Sequence, residues 1–166
     1  MNEQVETYSG DDIALTPAGH ARLKEELQHL TVVKRQEIAE RIRESKDHGE
    51  FSEDNSELDE VKVEQAIVEN RISDLKNILA TATILATEDI PTDRVGLGSV
   101  VTVRDDERDF DFSVRIVATV EANPDEDLIS VESPLGEALY GHRLGDTVEF
   151  EAPAGRMKYK IMAISA

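Results

Sequence analysis

Two long apolar repeats, separated by a short acidic turn, limit what this chain can fold into. In the second repeat, five apolar residues and one glutamine recur at alternating spacings of four and three. The members of this repeat are Val61, Gln65, Val68, Ile72, Leu75 and Leu79. Such a heptad pattern predicts a helix whose apolar face packs along a partner helix.

The first repeat supplies the partner. Its members are Leu23, Leu27 and Leu30, followed, after an interruption at Lys34, by Ile38 and Ile42. Thr16 before Pro17 predicts the start of this helix, because the threonine oxygen can accept from a free N–H and proline needs no donor there. Two helices of about 30 residues, each about 45 Å long, must pack antiparallel when so few residues join them.

The turn between the repeats is strongly acidic. The stretch "SKDHGEFSEDNSELDE", residues 45–60, holds seven carboxylates and one lysine, Lys46. A turn selected for solubility would explain the charge, but not the aromatic Phe51, unless Phe51 caps the apolar seam. The spacing does not match a calcium loop, whereas magnesium is often held by one or two carboxylates while waters and phosphates complete its shell. The turn is therefore predicted to be half of a magnesium site that a second molecule completes.

The second half of the chain has a different period. Short apolar or alternating runs, such as "SVVTVR" and "MKYKIMAI", predict strands, and Ser133 with Pro134 predicts one short helix among them. The fold class is therefore α+β: a long antiparallel coiled-coil hairpin followed by a small, mostly antiparallel β domain. The predicted divisions are a mobile tail at 1–14, the hairpin at 15–83 with its acidic tip near 47–57, a linker at 84–98, and the β domain at 99–166.

Charge and composition exclude several functions. The formal net charge of −18 would repel nucleic acid, so contact with DNA or RNA is expected only through another protein. The absence of cysteine excludes thiol chemistry and agrees with a cytoplasmic location, and no apolar run suggests a membrane partner. The sequence contains no H-E-x-x-H, G-x-S-x-G or dinucleotide-binding motif, so we do not expect an autonomous enzyme.

Two segments resemble the bacterial Gre family of transcript-cleavage factors. They are "LTPAGHARLKEELQHL" and "LISVESPLGEALYGHRLGDTVEFEAPAG", and the similarity spans about residues 15–165. The resemblance implies that the β domain has an FK506-binding-protein-like fold and docks on RNA polymerase. It also implies that the hairpin enters the polymerase secondary channel, where its tip stimulates cleavage of backtracked nascent RNA. The chain itself would then be a monomeric cofactor and not an enzyme.

The same resemblance assigns roles to individual residues. Glu50 and Glu53 correspond to the tip carboxylates that share a Mg²⁺ ion with the polymerase, and Asp54 is the alternative ligand. No metal is expected on the isolated chain. Lys46 corresponds to the family's arginine and would contact a phosphate near the 3′ end of the nascent RNA. The docking residues are placed around the short helix: Leu139, Gly141 and His142.

The tip departs from the family pattern, and this keeps a second hypothesis open. Glu50 stands where the family has aspartate, and Asp54 is an additional residue, which in a helical turn rotates the residues after it by about 100°. The alternative is a homologue that occupies the channel and inhibits the polymerase. A remote alternative, peptidyl-prolyl isomerase activity, would need a pocket built from the available aromatic residues: Phe110, Phe112, Tyr140, Phe150 and Tyr159.

Overall fold

A computed structural model describes residues 13–49 and 56–166. Within these ranges the chain forms two compact units. One is helical and spans His20–Thr81, and the other combines residues 13–19 with Ala82–Ala166. No helix in the described ranges is both long and apolar enough to cross a lipid bilayer.

The helical unit is a hairpin, as predicted from the two apolar repeats. Its elements are α1 (Pro17–His29), a π-helical turn (Leu30–Lys34), α2 (Arg35–Gly49) and α3 (Ser56–Thr81). The first turn of α1 belongs to the other unit. The apolar seam is confirmed, since Ile38 packs with Val61, Val68 and Ile72, and Leu27, Leu30 and Ile42 complete the cluster. Gln65, the polar member of the heptad, is exposed.

The π-helical turn accounts for the interruption at Lys34. Eight residues separate Leu30 from Ile38, one more than the seven that keep a heptad in phase. A π turn takes up one extra residue within a helix, so Ile38 returns to the buried face and is only 2% exposed. The hydroxyl of Thr31 donates to the Leu27 carbonyl at 2.9 Å. This bond gives a partner to a backbone carbonyl next to the irregular turn.

Ion pairs flank the seam on both sides. Arg35 donates two hydrogen bonds to Glu69, at 2.7 and 2.8 Å, and Glu64 accepts from Lys34 at 3.0 Å. Arg71 of α3 pairs with Glu26 of α1. Residues early in the first arm of the hairpin therefore pair with residues late in α3, as expected for antiparallel helices.

The other unit is built on a five-stranded sheet with the order β5-β4-β3-β7-β6. Its strands are β3 (Val100–Asp105), β4 (Phe110–Val117), β5 (Leu128–Ser130), β6 (Thr147–Ala152) and β7 (Gly155–Ser165). Every neighbouring pair is antiparallel except β4 with β5. Helix α4 (Pro134–Leu139) packs on one face of the sheet, where Leu139 joins Val101, Val103 and Ile161 in the core. The α+β class is confirmed.

A two-stranded parallel ribbon was not predicted. Strand β1 (Ala14–Leu15) pairs with β2 (Thr83–Ile84), and the N–H of Thr83 donates to the Ile13 carbonyl at 2.9 Å. Residues 13 and 14, assigned from the sequence to the tail, therefore belong to the sheet unit, while residues 1–12 lie outside the described ranges. Two residues carry too little periodicity to be recognised as a strand in a sequence.

Candidate functional site

The structure describes the acidic segment up to Gly49, the last residue of α2, and again from Ser56, the first residue of α3. Glu50, Phe51, Glu53 and Asp54 fall outside the described residues, so their predicted roles stay predictions.

Close to residues 50–55, the described side chains include four exposed charged ones, of which three are acidic. Lys46 and Asp47 are exposed near the end of α2, and Glu57 and Asp59 are exposed in the first turn of α3. Carboxylates in the first turn of a helix are stabilised by its free N–H groups. Lys46 stays a predicted phosphate contact, and its exposed position leaves the ammonium group accessible.

Metal-ligating side chains do not cluster within the described ranges. In residues 13–49 and 56–166, no group of three or more His, Asp or Glu residues is arranged to hold a metal ion. The magnesium prediction therefore depends on Glu50 and Glu53, together with oxygen ligands from a second molecule.

The predicted docking residues lie at the end of α4 and in the loop after it. Leu139 is completely buried against the sheet, so its side chain is not available for docking, and that assignment is corrected. It anchors α4 because an apolar side chain on the inner face of a short helix is stabilised by burial. Gly141 and His142 are exposed in the α4–β6 loop, residues 140–146.

The α4–β6 loop also presents two large apolar side chains. Leu144 is 64% exposed and Tyr140 is 38% exposed, and apolar groups rimmed by polar ones often mark interaction sites. Leu144 was missed from the sequence, although its position between Arg143 and Gly145, outside any apolar period, was the available signal.

Backbone hydrogen bonds hold the α4–β6 loop against the rest of its unit. The N–H of Gly141 donates to the Val95 carbonyl and the N–H of Val95 donates to the His142 carbonyl, both at 2.8 Å. Asp146 accepts from the Arg143 N–H at 2.9 Å and pairs with His142 at 3.2 Å, and these two contacts lower the pKa of the Asp146 carboxyl. The exposed apolar groups are therefore displayed on a well-bonded loop.

Four of the five candidate pocket aromatics form a continuous chain of ring contacts. Phe112 stacks with Phe110 at 5.6 Å between ring centroids and meets the edge of Tyr159 at 5.2 Å, and Phe150 lies 5.4 Å from Tyr159. Burial, followed by the nearby Asp105 carboxylate, raises the pKa of Tyr159. Phe112, Tyr159 and Phe150 belong to the sheet core, which accounts for their packing, and Tyr140 lies apart in the α4–β6 loop.

Comparison with known proteins identifies the family. Residues 13–84 match the model described as "Transcription elongation factor, N-terminal", and residues 90–166 match "Transcription elongation factor, GreA/GreB, C-term". The chain belongs to the GreA/GreB family. The Gre resemblance is thereby confirmed. In this GreA/GreB protein the first match ends with β2, and the second begins at residue 90, before β3.

Curated relatives of this GreA/GreB protein carry the same description along nearly their whole length. The transcription elongation factor GreA of Acetivibrio thermocellus is 46% identical over 153 residues, which cover 92% of this chain and 96% of the relative. GreA of Alkaliphilus oremlandii is 47% identical, with 93% and 96% covered. None of these names supports peptidyl-prolyl isomerase activity.

Solved structures of related chains also match. One is the crystal structure of GreA factor homolog 1 (Gfh1) of Thermus thermophilus, whose sequence is 35% identical. The match covers 93% of this chain and 99% of the Gfh1 chain, with a TM-score of 0.44. A prokaryotic GreA/GreB factor from Nitrosomonas europaea is 22% identical, with a TM-score of 0.41.

Proposed function

We propose that this chain stimulates the RNA-cleavage activity of a bacterial RNA polymerase by inserting the tip of its hairpin into the secondary channel. The observation that carries the proposal is the identity of 46–47% to proteins named GreA over more than nine-tenths of the chain. A role in transcription elongation follows from the family, and insertion and cleavage are the parts that require testing. In this proposal the chain acts in the cytoplasm as a monomeric cofactor of the polymerase and catalyses no reaction itself.

The helices that lead to the acidic segment support insertion. Both helices of the hairpin lead towards residues 50–55, and the flanking side chains Asp47 and Glu57 are exposed. The apolar seam buries the inner faces of the helices and holds them together as far as Ile42 and Val61. A partner with a deep, narrow channel fits this element better than a flat surface does.

The tip would supply only part of a metal site. We propose that Glu50 and Glu53 bind a Mg²⁺ ion together with ligands from the polymerase, and that Asp54 is the alternative ligand. Such an ion would orient and activate the water that attacks an RNA phosphate. Lys46 would neutralise the phosphate, and its exposed side chain is compatible with that role.

The α4–β6 loop would provide the contacts that dock the chain on the polymerase. Tyr140 and Leu144 offer exposed apolar contacts, Gly141 leaves space for close approach, and His142 and Asp146 form a polar rim. We infer that this loop binds the polymerase at the rim of the channel. Leu139 contributes indirectly, by holding α4 in the core.

The test is transcript cleavage in a stalled, backtracked elongation complex with magnesium. Glu50→Ala and Glu53→Ala are expected to abolish stimulation while polymerase binding is retained, because the proposal assigns metal binding to these carboxylates and docking to the α4–β6 loop. Glu60→Ala is the matched control, since Glu60 is an exposed carboxylate on α3 outside the predicted ligand set. Stimulation that survives both tip substitutions would rule out the proposed half-site.

Inhibition through channel occupancy is the second candidate function. It is favoured by the glutamate at position 50, the extra Asp54 and the rotation that an additional residue introduces in a turn. The same assay separates the two functions. A wild-type protein that binds tightly, slows elongation and gives no cleavage would establish inhibition.

A further inference from the structure

The opening segment "TPAG" contains a capping arrangement that the proposed function does not explain. Thr16 is the N-cap of α1, and its hydroxyl accepts from the N–H of Gly19 at 3.1 Å. In an ordinary capping box, a Glu or Gln at this third helical position reaches back to the N–H of the N-cap. Here that position is Gly19, which has no side chain to do so.

Glu121 supplies the missing carboxylate from 105 residues away. Its Oε2 accepts from the Thr16 N–H at 3.1 Å, and its Oε1 accepts from the Thr16 hydroxyl. The side chain is only 6% exposed, so both donors and the carboxylate are shielded from water. Glu121 ends the 3₁₀ turn Thr119–Glu121, just after β4.

Gly19 is glycine because the carboxylate occupies the space of a side chain. A Cβ added to Gly19 would lie 2.1 Å from Cδ and 2.3 Å from Oε1 of Glu121, far closer than atoms can approach. The threonine and the glycine of the opening segment therefore form one site with Glu121. The result is a capping box whose glutamate comes from a segment of the same unit that is 105 residues away in the chain.

We propose that Glu121 is a positioning residue that holds the first turn of α1, residues 17–19, on the 3₁₀ turn after β4 within the sheet unit. A glutamate at position 19 could accept from the Thr16 N–H without any contact to the 3₁₀ turn after β4. Burying a carboxylate costs free energy unless hydrogen bonds compensate for its lost hydration. The Glu121 carboxylate accepts two such bonds, and they join segments that are 105 residues apart, which a glutamate at position 19 could not do. Resting on the proposed function, this contact would fix the start of the helix that leads to the acidic segment.

Moving the carboxylate separates capping from attachment. Glu121→Ala removes both roles, whereas Gly19→Glu combined with Glu121→Ala restores a local capping box and leaves the attachment broken. The truncation also removes the three atoms that lie nearest to the new Cβ. Glu121→Gln, which keeps the shape and one acceptor, is the conservative control.

The first readout uses the free protein. The chain has no cysteine, so cysteines at the exposed positions Arg43 and Lys158 give unique sites for spin labels. Glu121→Ala is expected to lower Tm by about 4–8 °C. The double variant Gly19→Glu/Glu121→Ala, called the transposed variant, should recover most of the loss in Tm. Glu121→Ala and the transposed variant should both broaden the distribution of distances between the two labels. A transposed variant as narrow as the wild type would overturn the proposal, because Glu121 would then act only as a cap.

The second readout is the transcript-cleavage assay. The transposed variant is expected to reach half-maximal effect at the wild-type concentration but to lose part of the maximal effect. An unchanged maximum would overturn the functional role of the attachment. If the wild-type protein has no effect on cleavage, the proposed function fails, and the distance distributions still decide whether Glu121 is a positioning residue.

Discussion

At the scale of single residues, the two helix starts "TPAG" and "SPLG" are built alike. In the second, the N–H of Gly136 donates to the Ser133 hydroxyl at 3.1 Å, and that hydroxyl donates to the Ser130 carbonyl at 2.6 Å. A Cβ on Gly136 would lie 2.0 Å from the Ser130 oxygen. Both glycines are therefore required by close approach, one to a carboxylate and one to a backbone carbonyl.

Gly136→Ala is expected to lower the free energy of unfolding by about 2–4 kcal/mol, because the backbone of Ser130 in β5 cannot move aside easily. Gly141→Ala is the matched control: Gly141 has φ of 80° but open space around it, so only the strain of about 1 kcal/mol applies. Urea unfolding of the two variants makes the comparison. Equal losses would contradict the steric explanation.

Glu64 is expected to make the stability of the hairpin depend on acid pH. Hydrogen bonds from Lys34 and then Arg41 hold the pKa of its carboxyl below the ordinary range. Because the folded pKa is lowered, the stabilisation is complete above the ordinary glutamate pKa and is lost as the pH falls through the lowered value.

The measurement is Tm between pH 7 and pH 3 for the wild type, Glu64→Gln and Glu60→Gln. Glu64→Gln should flatten the acid side of the curve, because glutamine has no charge to lose. Glu60→Gln changes an exposed carboxylate one turn earlier and should follow the wild type. A Glu64→Gln curve parallel to the wild type would refute the assignment.

At the scale of elements, the π-helical turn is a correction of phase. Leu23, Leu27 and Leu30 follow the heptad, and removal of one residue would bring Ile38 and Ile42 into the same register without a π turn. The hairpin therefore tolerates an extra residue by widening one turn. This is a local solution, because the ion pairs of Glu26 before the turn and of Arg35 after it are still made.

Deletion of Val32, which is 61% exposed within the π turn, is expected to leave the free energy of unfolding nearly unchanged. Deletion of Ala39, an exposed residue of α2 next to the buried Ile38, should cost about 2–4 kcal/mol, because it turns Ile42 out of the seam. Denaturant unfolding followed by circular dichroism measures both. A Val32 deletion as harmful as the Ala39 deletion would show that the turn is not a compensating insertion.

At the scale of the whole molecule, the proposed function divides the work between the two units. The hairpin would carry the carboxylates, and the sheet unit would provide the docking surface. The net charge of −18 argues that docking contacts are not made to nucleic acid. Exposed apolar groups in the α4–β6 loop are then the expected source of binding free energy.

Leu144→Asp is expected to weaken polymerase binding about tenfold or more without changing Tm, because Leu144 is exposed and not part of the core. Stimulation of cleavage at saturating protein should be unaffected. Met162→Asp is the control, since Met162 is a large exposed apolar residue on β7, outside the loop. Equal weakening by both substitutions would indicate a non-specific charge effect and not docking through the loop.

Much of the architecture is local information. Heptad spacing, the Thr16–Pro17 and Ser133–Pro134 helix starts, and alternation in the strands are patterns over a few residues, and the structure confirms them. The acidic tip and the family motifs were also readable, because side-chain type and spacing suffice for them.

Long-range contacts were not readable in the same way. The sequence by itself determined a helical hairpin, a small sheet domain and an acidic turn, because backbone periodicity and side-chain chemistry act over a few neighbouring residues. Only the tertiary structure decided that Leu139 is core while Leu144 is surface, and that Glu121 caps a helix beginning at Pro17. These contacts join segments far apart in the chain, and no local pattern encodes which distant group will fill a given space.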